Sequence, residues 1–157
     1  MTLFLRHFLM AAFLTCSCVA ASGACSDAAG PGVDWHGCVK KDGMNLEGEN
    51  LRGANLTDVQ LRFAKLRGSN LSNANLSRAN LLGADMSRAN VTKANLQDAV
   101  LYIANLTDAN ASQSRFNRAN LIGARLNNTD LTNTNLTGAT GIDGKSTCGS
   151  VSIGFCR

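Results

Sequence analysis

The sequence predicts a solenoid whose chain turns a corner every five residues, and three observations carry that expectation. From Met44 to Gly138 the chain divides into 19 consecutive pentads with no insertion. The central residue of each is Leu in fifteen cases and the apolar Met86, Val91, Ala111 or Phe116 in the rest. Two positions earlier stands Ala in twelve cases and Ser or Thr in four. A period of five fits neither the 3.6 residues of an α-helix nor the 3.5 of a coiled coil, and it is odd where a strand's alternation is even. A chain that buries a large residue at mid-side and a small one near each corner accounts for both columns.

The first element, residues 1–24, reads as an export signal. Arg6 lies near the amino terminus, the apolar run "FLMAAFLTCSCVAA" follows, and small residues up to Ala21 or Ala24 suit a signal peptidase. The run of 14 residues falls short of the roughly 20 that cross a bilayer. Lipidation at Cys25 competes with simple cleavage, but Ser22-Gly23-Ala24 lacks the large aliphatic residue that a lipoprotein signal carries three positions before its cysteine. The chain is therefore expected in a periplasm or outside the cell.

Residues 25–43 form an expected N-terminal cap. In "VDWHG" Trp35 takes the central place of a pentad, "CVKKD" follows, and Gly43 is one residue too many. This reads as a degenerate half-coil, offset by one, with Trp35 as the lid on the first core layer. Without the leader, four cysteines remain: Cys25, Cys38, Cys148 and Cys156. An even number outside the reducing cytosol points to disulfides, and four cysteines allow three pairings. The favoured one is local, Cys25 with Cys38 and Cys148 with Cys156, one staple at each end. Residues 139–157 form the C-terminal cap, in which Val151, Ile153 and Phe155 alternate as in a short strand folding over the last coil.

Within 44–138 the stretches "ANLTD" (54–58), "ANLSR" (74–78), "ANLLG" (79–83), "ADMSR" (84–88) and "ANLIG" (119–123) are near-verbatim copies of A-(D/N)-L-x-x. In this the chain resembles the pentapeptide-repeat family over 95 of its 157 residues. The resemblance implies an all-β fold, a right-handed quadrilateral β-helix with four pentads per coil. It places the central and preceding small residues inward and the other three outward, and it implies no particular activity. Residues 20 apart would then stack about 4.8 Å apart, and the pentads would make nearly five coils, a rod roughly 23 Å long.

No catalytic constellation is visible. With the leader gone His36 is the single histidine, no nucleophile turn accompanies it, and it reads as a cap residue. No phosphate loop or dinucleotide fingerprint occurs. One imidazole and cysteines without zinc-site spacing provide no metal site. No cofactor and no small-molecule substrate are expected.

Losing Arg6 leaves 14 basic against 11 acidic residues, a net charge of +3. Some relatives of the resembled family mimic duplex DNA with a dense acidic surface and bind topoisomerases. This chain is mildly basic and carries an export signal, so topoisomerase binding is the least favoured reading, and no nucleic-acid partner is expected. Stacked by 20, the charges instead alternate: Asp58, Arg78, Asp98, Arg118 up one line, Glu47 under Arg67, Lys65 over Asp85, and Arg88 under Asp108. Such pairs stabilise register, and carboxylates stacked on cations do not bind calcium.

The outward residues of the fourth column differ in kind. Phe63, Leu82, Tyr102, Ile103 and Ile122, with Val100 alongside in "DAVLYIANL", put six large apolar residues on one expected side of four. An apolar patch on the order of 400 Å² lies in the range where a monomer's largest patch is often functional. The sequence thus points to a non-catalytic exported binding or scaffold protein that dimerises or docks a protein partner through this face. The alternative is a structural rod of the cell envelope whose own termini cover it.

Overall fold

The computed structural model describes residues 25–40, 42–145 and 148–149. Its backbone is a ladder of single parallel bridges. Asn45 pairs with Lys65, Lys65 with Asp85, Asp85 with Asn105 and Asn105 with Arg125, and three further lines of bridges repeat the same step of 20. Four bridging residues per 20 make a four-sided coil. One bridging residue per side is all that a pentad leaves after its corner, so no long strand forms.

Each corner is a four-residue turn closed by a hydrogen bond from the next small residue back to the central one, as in Ala104 N–H to the Leu101 carbonyl (3.0 Å). The third residue of such a turn takes positive φ, as a type II turn requires. All 19 pentads end on a residue of that kind: six are Gly and thirteen are not. Side-chain Asn and Asp prepare these corners. Asn90 Oδ1 accepts the Thr92 N–H at 3.0 Å, and Asn120 Oδ1 the Ile122 N–H at 3.1 Å, an Asx cap that recurs along the chain.

The inward residues form the expected core. Central leucines from Leu46 to Leu121 are buried, as are the alanines two positions before them. Ala111 and Phe116, neighbours in one coil, are both buried, a small residue next to the one large ring in the columns. Ser69 and Thr134, which stand in the small position, donate their hydroxyls to the carbonyls of Leu66 (2.7 Å) and Ala111 (2.6 Å). Among the described residues no buried side-chain polar atom lacks a partner.

At the N-terminal end the bridges Asp34–Asn55 and Val39–Gln60 step by 21 instead of 20, so the offset expected at Gly43 is present. Trp35 is fully buried, and its indole N–H donates to the Asp27 carbonyl at 3.2 Å. Cys25 and Cys38 are disulfide-bonded with Cα atoms 5.5 Å apart. Lys40 holds the inward place of its pentad, where later coils carry leucine. Its ammonium lies 3.7 Å from the centroid of the Trp35 ring and donates to the Cys25 carbonyl. Burial pulls the Lys40 pKa down, while Asp27 pushes it up.

At the other end the ladder runs one step past 138: Ala139 is buried and Thr140 bridges Asn120. Cys148 is buried and disulfide-bonded, and its N–H donates to the Ala139 carbonyl at 2.8 Å. Leu126 and Leu131, in the last coil, are only partly buried. The expected leader 1–24, the terminal strand around Val151 to Phe155 and the partner cysteine Cys156 lie outside the described residues. Among the described residues no helix is long and apolar enough to cross a membrane.

Candidate docking face

The apolar residues singled out in the sequence come together, but not on a flat side. Leu82, Tyr102, Ile103 and Ile122 are turn residues, as is Phe63, so they line the corner that follows the fourth side. Expected on one side of four, five of the six instead form a ridge at that side's closing corner. The reason is local: the two residues after each central leucine make the turn, and the mid-side position lies before it. Val100 does stand at mid-side, bridged to Asn80 and Asn120. Phe63, Tyr102 and Ile103 are exposed by 48%, 42% and 48%, and Leu82, Val100 and Ile122 are half-buried. Ile142, 54% exposed, adds a further step that the sequence reading missed, because it lies beyond the regular pentads.

The ridge is rigid. Phe63 N–H donates to the Leu82 carbonyl at 2.7 Å, Gly83 to Tyr102 at 2.9 Å, and Ile103 to Ile122 at 2.9 Å, so each corner is tied to the next. Side chains alternate with glycines at the last position: Phe63, Gly83, Ile103, Gly123. A Cβ on Gly123 would meet Ile103 Cγ2 at 3.0 Å, so the glycines leave room for the larger residues of the preceding coil.

Pentad 99–103 breaks two local rules at once. Ile103 has φ 53°, the single β-branched residue at positive φ among the described residues, a conformation that costs on the order of 1–3 kcal/mol. Val100 replaces the Asn or Asp that caps most corners and offers the Tyr102 N–H no acceptor. Neither change benefits the core, since Ala99, Leu101 and Ala104 stay fully buried as elsewhere. Departures without a structural return gather where a surface is used.

A family model described as pentapeptide repeats matches residues 42–73, 69–102 and 104–140, with eight copies, more than half of the chain. The chain belongs to the pentapeptide-repeat family. Among solved structures, a pentapeptide repeat protein, Rfr23, from the cyanobacterium Cyanothece 51142 is 27% identical, with 69% of this chain and 88% of that one covered and a TM-score of 0.56. A pentapeptide repeat protein of the Arabidopsis thaliana thylakoid lumen is 24% identical over 67% and 70% of the two chains, TM-score 0.35. QnrB1, a plasmid-mediated fluoroquinolone resistance protein, is 17% identical over 66% and 63%, TM-score 0.41. The last two are too distant to carry an argument about this chain. No curated protein matches. Membership identifies the four-sided coil as the family's right-handed quadrilateral β-helix, and pentapeptide-repeat proteins are in general non-catalytic structural or binding proteins.

The charges of this pentapeptide-repeat protein follow a directional rule. Arg78 grips Asp58 with Nε and Nη2 at 2.7 and 2.6 Å, and Arg118 grips Asp98 in the same way at 2.7 and 2.7 Å. Arg67 reaches Glu47 at 4.0 Å, and Arg62 pairs with Asp42 at 2.6 Å, which the sequence reading did not include. In all four the base stands 20 residues after the acid. The two expected pairs with the base first, Lys65 with Asp85 and Arg88 with Asp108, are not among the salt bridges of the described residues. Asp85 instead accepts from Ser87 N–H and Asn105, and Asp108 from Asn128. For Arg88 the physical reason is the direction of its side chain: a Cβ at the last position points toward the preceding coil, as Gly138's would toward Arg118 Cγ at 3.2 Å, whereas Lys65 stands at mid-side. A long arginine therefore reaches back to an acid and not forward to one.

His36 sits beside the cap, where its backbone N–H donates to Asp34 Oδ1 at 3.0 Å. Among the described residues no group of His, Cys, Asp and Glu could hold a metal ion.

Proposed function

We propose that this pentapeptide-repeat protein is an exported, non-catalytic binding module that offers the ridge of Phe63, Leu82, Tyr102, Ile103 and Ile122, with Val100, to another protein chain. The observation that carries the reading is Ile103: a β-branched residue is kept in a left-handed turn, exposed, beside a corner whose cap has been given up. Asn73, Asn128 and Asn133 hold the equivalent position without such a cost. Export rests on the leader-like residues 1–24, and the disulfide Cys25–Cys38 suits an oxidising compartment. A dense acidic, DNA-like surface does not suit this chain, because four of its eleven acids are paired with arginines and its basic residues outnumber its acidic ones.

The test is Tyr102→Asp with Ile103→Asp. Asp already stands at the last position of pentads 54–58, 94–98 and 104–108, so the turn accepts it. The double variant is expected to melt within a few degrees of wild type and to lose capture of its protein partner from envelope extract. A large fall in melting temperature would instead mean that the ridge is covered within the chain, the reading of a purely structural envelope rod.

A further inference from the structure

We infer that the occupant of this face is a second copy of the chain, packed antiparallel through the fourth side; the inference rests on reading the ridge as a contact surface. The fourth side, bridged through Gln60, Asn80, Val100 and Asn120, runs between two corners of opposite character. The corner before it ends on Asp58, Arg78, Asp98 and Arg118, and the corner after it is the apolar ridge, charged only at its N-terminal end where Arg62 pairs with Asp42. Its middle carries no ionised group from residue 60 to residue 120.

A two-fold axis lying in the plane of this side and perpendicular to the rod sets each corner against its own equivalent. Ridge then meets ridge. The charged corner meets itself reversed, and with the axis midway between the levels of Arg78 and Asp98, Asp58 faces Arg118 of the second copy and Arg78 faces Asp98 of the second copy. Every acid meets a base, because the ladder alternates and has an even number of members. A slip of one coil would set Asp against Asp and Arg against Arg. A two-fold along the rod would lay the ridge on charges. The self-complementarity thus selects one arrangement and one register.

The charged corner is able to take a second set of partners. Arg78 and Arg118 use Nε and Nη2 within the chain, leaving Nη1–H groups to donate. Their side chains are 58% and 62% exposed, and those of Asp58 and Asp98 38% and 32%. A patch of about 400 Å² on each copy buries about 800 Å² in total, the size of a weak, reversible association.

Sedimentation velocity of the exported protein from about 1 μM to about 1 mM reads this out. Asp58→Arg with Asp98→Arg makes the corner wholly basic, and Arg78→Asp with Arg118→Asp makes it wholly acidic. Each variant alone is expected to remain monomeric, with self-association weakened at least tenfold, and an equimolar mixture to form a heterodimer at wild-type concentrations. Asn80→Arg, which leaves the Asp–Arg pairs intact and has Arg115 and Arg125 as precedents at its position, is expected to abolish the dimer without unfolding the chain. If wild type associates, Tyr102→Asp with Ile103→Asp abolishes association, and the charge variants and Asn80→Arg associate like wild type, the antiparallel arrangement is overturned while the ridge keeps its role. Wild type that stays monomeric throughout overturns the second copy as occupant, and partner capture by the ridge then decides the broader reading separately.

Discussion

The ring of Phe63 fills the space in which a side chain on Gly83 would stand: a Cβ there would lie 2.6 Å from its Cδ1 and 2.7 Å from its Cε1. Gly83→Ala is therefore expected to push the ring aside as well as strain a corner at φ 63°. Gly68, at φ 64° with nothing within 4 Å of its would-be Cβ, isolates the backbone part. Urea denaturation should show Gly68→Ala costing about 1 kcal/mol and Gly83→Ala about 1–2 kcal/mol more. In a Phe63→Ala background that excess should vanish.

Ile103→Asn relieves a β-branched residue of a left-handed conformation. Stability is expected to rise by roughly 1 kcal/mol, since asparagine tolerates that region and Ile103 is half exposed. Association should weaken at the same time. A variant both more stable and less sticky is the signature of a strained contact residue, and a fall in stability would place Ile103 in the packing instead.

Val100→Asn should restore the Asx cap to the Tyr102 N–H and add about 0.5–1 kcal/mol. Hydrogen exchange at the Tyr102 amide checks the cap directly, because slower exchange there is the expected local outcome.

The Arg78 guanidinium beside Asp58, and that of Arg118 beside Asp98, hold both carboxyls below the usual carboxylate range. A depressed folded-state pKa contributes stability above the unfolded value, about 3.9, and that contribution is lost as pH falls through the folded-state pKa. Melting temperature should therefore drop below about pH 4. Asp58→Asn with Asp98→Asn should flatten part of that drop and leave the pH 5 to 8 region level.

Reducing Cys25–Cys38, or replacing both by Ser, frees a 13-residue loop and should cost about 3 kcal/mol. Trp35 is the chain's one tryptophan. Its fluorescence should report loosening of the N-terminal end before the far-ultraviolet signal of the coils changes.

The columns were legible because each pentad repeats one local problem, a large residue inward and a small one beside the approaching backbone. Trp35 as a lid, the offset at Gly43 and the Cys25–Cys38 pairing were legible for the same reason: each interrupts that repetition. The position of the ridge was not, because a period locates residues along the chain but does not divide a side from its corner. Nor was the failure of Arg88 with Asp108, since stacking distance is symmetric whereas the direction of a Cβ at the last position is not. Lys40 escaped because a lysine in the inward place looks like a lapse until its ammonium is found over Trp35.

The step of 21 at Gly43 also bears on growth. A solenoid whose coils are all alike is a template for its own extension, and copies added end to end would make a fibre. A newcomer at the N-terminal end would find a coil one residue out of phase and, in one column, an ammonium where a leucine should continue the core. At that end, loss of phase rather than bulk works against elongation.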